Sequence, residues 1–231
     1  KEFDGVMPLE IMIDTKRKNG AMKLSNLRRM EDLEQTITDV PELSKPLSIV
    51  NIAKSFNQAY YNGNPDFYTL PSNQEEIFLL PYIKNSLKKT NNNQLKSYIS
   101  SDGRVARMTT FIKDENGEKM EAIEAHLRNK VDNLFPSPRY EVIITGKASV
   151  FQKGTKYLLD NLLSSLLFAF LITGGLVAIM FRSFKMVLVS IIPNLLPLLM
   201  TAGLMGFLGI PLKPSTILVF GIAFGMSVDD T

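Results

Sequence analysis

The chain has no cysteine and only one histidine, His126. Without cysteine there are no disulfides, no thiol chemistry and no thiolate metal ligands, and the redox compartment stays open. His126 falls mid-helix among charged neighbours, where it reads as a solvated face residue, so no zinc site is expected. Phosphate loops of the G-x-x-x-x-G-K-[ST] type, G-x-S-x-G elbows and G-x-G-x-x-G turns are also missing. No enzyme active site can be assembled from these residues, and no metal or cofactor is called for.

Charge is scarce in one half only. Residues 1–157 carry 23 Lys/Arg and 20 Asp/Glu, whereas residues 158–231 hold only Asp160, Arg182, Lys185, Lys213, Asp229 and Asp230. The net charge of +3 therefore belongs to an ordinary polar domain and argues against a nucleic-acid surface. Lys1 is preceded by no initiator methionine or signal pattern. A chain that starts in mid-domain and stops in mid-helix is expected to be a fragment of something larger.

What the second half has instead is length without charge. Leu162–Phe181 is twenty uncharged residues and Met186–Gly209 is twenty-four, both long enough to span a hydrocarbon core of about 30 Å. The short turn Arg182-Ser183-Phe184-Lys185 separates them. Its positive charge suits a cytoplasmic loop, but Lys147, Lys153 and Lys156 would then lie outside; large domains cross largely regardless of charge, so charge alone leaves the topology open. Spanning helices are expected at about 158–181, 186–209 and 214–231, the last truncated.

Small and polar residues interrupt these runs. Gly174-Gly175 and Gly203/Gly206 permit close helix approach, and Ser164, Ser165 and Thr173 can bond across helices or back to their own backbone. Pro193 and Pro197 bracket Asn194, and each proline frees a carbonyl one turn earlier. Asn194 either lines a polar path or holds the freed backbone groups.

The third run ends in Gly225-Met226-Ser227-Val228-Asp229-Asp230. From Thr216 to Val228 a helix would rise only about 20 Å, so Asp229 and Asp230 would still lie inside the membrane unless the helix ends early and leaves them in headgroup water. Ionisable groups there cost roughly 3 kcal/mol or more and usually mark an ion or proton path. Gly221 and Gly225, four residues apart, put a smooth face beside them.

The polar half reads as α+β. Residues 7–13 form a strand candidate, and Ser25 is expected to cap a helix to about Thr38, with Leu24, Leu27, Met30, Leu33 and Ile37 at helical spacing. Lys96–Ser101 and Arg104–Lys113 flank the turn signal Asp102-Gly103. Lys119–Leu134 is a second helix, stopped by Pro136 and Pro138, and Tyr140–Thr145 is a last strand. The order strand, helix, strand, strand, helix, strand is the split βαβ, ferredoxin-like one. An insertion at about 39–95 holds helical stretches near Ser48–Tyr61 and Asn73–Leu87. Between them lies an aromatic cluster, Tyr60, Tyr61, Phe67 and Tyr68, which either grips cargo or a partner or fastens the insertion to the sheet. Glu75-Glu76 reads as solvated. The expected domains are therefore 1–147 and 148–231, the second a transmembrane bundle of three helices.

A ferredoxin-like domain, a helix, a short basic turn, a Pro-Asn-x-x-Pro helix and then G-x-x-x-D-D (Gly225, Asp229, Asp230) together resemble the resistance–nodulation–division (RND) superfamily of exporters. The likeness covers essentially the whole chain and is closest to the MMPL and Patched-like branch. The resemblance implies a bacterial inner membrane, a porter-type domain in the periplasm, and one half of a twelve-helix transporter, the second half by the Ser-Val-Asp-Asp-Thr wording. It implies proton antiport through Asp229 and Asp230, with a partner group from the opposite half. Expected partners are membrane lipids, hydrophobic or lipid-like cargo, the remaining half of the transporter and a further copy in a homo-oligomer. Two other readings share the pattern: a sterol-sensing, lipid-holding regulatory module, and an accessory to protein secretion.

Overall fold

Alternation decides which face of the first strand is buried. In β1 (Met7–Asp14), Leu9, Ile11 and Ile13 are buried while Glu10, Met12 and Asp14 lie on the more open face. A computed structural model describes residues 7–75, 97–113, 117–210, 215–219 and 222 of the chain. The chain divides into two compact units, Lys1–Val150 and Phe151–Thr231.

The first unit mixes helix and sheet. β1 lies between β2 (Val105–Ile112) and β3 (Glu141–Thr145), antiparallel to both, giving the order β2-β1-β3. Ile11 faces Met108 on one side and Ile144 on the other, so the buried faces of all three strands coincide. Two helices pack together over this core, α1 (Leu24–Thr38) and α3 (Gly117–Leu134); a further helix, α2 (Ile49–Tyr60), packs beside α1. Leu27, Met30, Leu33 and Ile37 of α1 are buried with Leu127 and Val131 of α3. Each large apolar side chain buried in this way contributes about 1.5–3 kcal/mol.

Three local expectations change. Ser25 does not cap α1: the helix begins at Leu24 with Lys23 at the cap position and no side-chain cap bond. A 3-10 turn, Gly20–Met22, already leads into the helix, and Asn26 Nδ2 donates to Gly20 O at 2.8 Å. The hairpin at Asp102-Gly103 is real but short, its first arm reduced to the bridge Ile99↔Ala106. The insertion also leaves the sheet later than expected. The outward amides of β2 and its end are each satisfied: Lys113 N by Glu42 O, Phe111 N by Ser44 Oγ, Thr109 N by Leu47 O, and Arg107 N by Tyr98 O. The chain thus covers the β2 edge twice, once before and once after a departure between Leu47 and Tyr98. Unpaired strand edges invite unwanted pairing, which this covering prevents on the β2 side.

The apolar helices begin earlier than composition suggests. α4 (Lys147–Phe181) runs for 35 residues, starting one residue after Gly146 rather than near residue 158. α5 (Phe184–Phe207) has 24. Residues 215–219 are helical again.

Candidate functional site

Among the described residues, two helices are long and apolar enough to cross a membrane, and their apolar side chains point outward. Ile179 is 76% exposed and Phe207 89%. A soluble core helix would hide such groups; outward-facing apolar residues over this length need lipid or protein around them. The reversal between the helices takes two residues: Arg182 adopts a left-handed φ of 48°, donating its amide to Ala178 O, and Ser183 is extended. Gly174 is buried where α4 meets α5, and a Cβ there would lie 3.2 Å from Ile191 Cδ1 and 3.6 Å from Val187 Cγ1. Gly175, Gly203 and Gly206 have nothing within 4 Å of the corresponding position. Of the four glycines expected to allow close approach, Gly174 does so between the described helices.

Pro193 and Pro197 both lie inside α5, which continues as one helix past them. Asn194 is on the same helix, its side chain outside the described ones. Ser165 Oγ donates to Leu162 O at 2.9 Å and Thr201 Oγ1 to Pro197 O at 2.8 Å, so these hydroxyls are satisfied by their own helices. Gly221, Gly225, Asp229 and Asp230 lie outside the described residues.

The aromatic cluster is built on the end of α2. Asn62 and Gly63 have left-handed φ values of 56° and 82°, and Gly63 N reaches back to Gln58 O, closing the helix. Asn57, buried in α2, donates through Nδ2 to Phe67 O and Thr69 O and so pins the following loop. Tyr61 and Phe67 then stack, centroids 3.9 Å apart, with Tyr60 edge-on to Tyr61 at 5.3 Å. Tyr60 and Tyr68 leave 62% and 43% of their surface open. The four residues thus divide into a self-stacked pair and two exposed rings.

Sequence reasoning missed two carboxylates. Glu75 accepts the Tyr61 hydroxyl and the Ser72 amide, while its own amide donates to Ser72 Oγ. The Tyr61 bond holds the Glu75 carboxyl below its usual range and raises the Tyr61 phenol. Ser72-Asn73-Gln74-Glu75 has capping-box spacing, a signal that was present. Residues 76–87 of the helix expected there lie outside the described residues. Glu34 is buried on α1, four residues after Met30 and three before Ile37, so its place on the apolar face was also readable.

An α+β unit joined in sequence to two outward-facing apolar helices fits the class of integral membrane proteins. A family model described as the MMPL family matches residues 12–229, and the chain belongs to that family. Its members are membrane transporters of the RND superfamily, not enzymes, and act generally on lipids and hydrophobic substrates. No curated protein matches the chain.

Proposed function

We propose that the chain is part of an exporter driven by the proton-motive force, moving lipid or other hydrophobic cargo across a bacterial cytoplasmic membrane. The observation that carries this reading is the family match, which takes in the α+β unit from residue 12 on, both apolar helices and Asp229. In the proposed arrangement residues 1–147 form a periplasmic porter-type domain and residues 148–231 part of a transmembrane bundle. Three features support a ferredoxin-like topology for the domain: the order β2-β1-β3, the antiparallel pairing throughout, and the β2 edge filled by the chain before and after the insertion.

Asp229 and Asp230 are the proposed relay. Hydrocarbon penalises the charged form of a carboxylate, so an acid there takes up a proton from one side and gives it to the other as the bundle rearranges. One charge crossing 100 mV supplies about 2.3 kcal/mol, enough to bias a two-state equilibrium by tens of fold. Gly221 and Gly225 would let a neighbouring helix approach the pair, and Pro193, Asn194 and Pro197 would open α5 beside it. Tyr60 and Tyr68, the exposed rings, are the proposed contact for cargo or for a partner domain.

Replacing Asp229 or Asp230 by asparagine in the complete transporter tests the relay. Gradient-dependent export of lipid or a hydrophobic dye is expected to be lost while membrane insertion and folding persist. Wild-type export by both variants would remove the mechanism.

A further inference from the structure

Glu34 is the only buried acidic or basic side chain among the described residues, with 6% of its surface open. Burying a carboxylate is costly unless it is hydrogen-bonded, so what holds it matters. Ser48 Oγ donates to Glu34 Oε1 at 2.6 Å. The same Ser48 caps α2: its Oγ accepts from Val50 N at 2.9 Å, and its amide donates to Asn51 Oδ1 at 2.7 Å. One hydroxyl therefore connects a buried acid on α1 to the first turn of the helix that opens the insertion. That helix carries Tyr60 and leads into Tyr61 at its other end.

We propose that Glu34 and Ser48 form a proton-operated latch that holds α2, and with it the aromatic end of the insertion, against the α+β core. The charged groups that act on Glu34 are Lys54 of α2 and Glu31 of α1, themselves paired at 2.7 Å. Burial is the largest influence and raises the Glu34 carboxyl above its ordinary range; the Ser48 hydrogen bond and Lys54 oppose it, and Glu31 adds to it. When α2 lifts away, the carboxyl meets water and returns to ordinary acidity. The closed latch therefore binds the proton more tightly than the open one. Closure is fully favoured below the ordinary carboxylate range and weakens as pH rises through the raised value. This device lies between α1 and the insertion and does not rest on the transport reading or on Asp229 and Asp230.

Hydrogen exchange on the full chain in detergent micelles, from pH 5 to pH 8, tests it. Rates are converted to protection factors to remove the intrinsic effect of pH, and α3 serves as the internal reference. Protection of residues 49–60 is expected to fall with rising pH, by up to about tenfold per pH unit, while α3 stays constant. Glu34→Gln, neutral at every pH, is expected to keep α2 protected throughout. A flat wild-type profile, an equal fall in α3, or an unchanged fall in Glu34→Gln would overturn the proposal. Should Glu34→Gln not fold, Ser48→Ala decides. Losing a bond that favours the ionised acid must move the fall in protection to higher pH, and an unmoved midpoint overturns the latch.

Discussion

Arg104 grips Asp14 through two hydrogen bonds, Nε to Oδ1 at 2.7 Å and Nη2 to Oδ2 at 2.6 Å, where β1 ends and β2 begins. The guanidinium holds the Asp14 carboxyl below its usual range; burial opposes it, and the Lys16 amide adds to it. An acid depressed in the folded state adds stability above its unfolded pKa, and that stability is lost as pH falls through the folded value. The pair is partly exposed to water, which limits what it adds to stability. Asp14→Asn is expected to lower the thermal midpoint at pH 7 and to flatten part of the loss on acidification. Tyrosine fluorescence reports mainly this unit, because six of the seven tyrosines, all but Tyr157, precede its end at Val150.

A fragment ending at Val150 is expected to fold cooperatively on its own, since the α+β core is closed within Lys1–Val150. A fragment ending at Gly146 is expected to be less stable. It lacks Ala148 and Ser149, which are 0% and 2% exposed at the start of α4. Urea unfolding of the two, followed by circular dichroism, gives the comparison; equal midpoints would show that the first turn of α4 adds nothing.

Gly146 has a φ of 104°, and a Cβ there would fall 2.6 Å from Pro8 O and 2.9 Å from Glu10 N. Both contacts are backbone of β1, which cannot give way without breaking the sheet. Gly146→Ala is expected to destabilise the unit by about 2 kcal/mol or more. Gly154→Ala is the control: nothing lies within 4 Å of its Cβ position, and alanine in a helix gains up to about 1 kcal/mol.

At the helix pair, Gly174→Ile is expected to cost about 1–3 kcal/mol, because it overfills the contact with Ile191 and Val187. Gly174→Ala is milder, since the atom it meets is the free end of a side chain. Thermal unfolding of the detergent-solubilised chain should rank them wild type, alanine, isoleucine.

Much of this architecture was legible in the residues. Leu27, Met30, Leu33 and Ile37 recur at helical spacing and are all buried; Leu9, Ile11 and Ile13 alternate and are buried together. Ser48 ahead of an apolar run marked the start of α2. The early start of α4 was hidden because Lys147–Asp160 is polar, and polarity says nothing about whether a helix continues. Ser25 misled because capping serines are recognised by local spacing, while the 3-10 turn before α1 is held by Asn26 and by contacts to Gly103. The aromatic cluster was visible as composition, yet its division into a stacked pair and two open rings depended on Asn57 pinning the loop.

Composition and period alone determined that a polar α+β unit precedes long uncharged helices, because the free energy of placing side chains in water or lipid is summed along the chain. Tertiary structure decided the rest: which glycine touches a neighbour, how the insertion returns to the β2 edge, and that Glu34 is sealed beneath Ser48. Those contacts join residues far apart in sequence, and their free energy depends on geometry that no local pattern encodes.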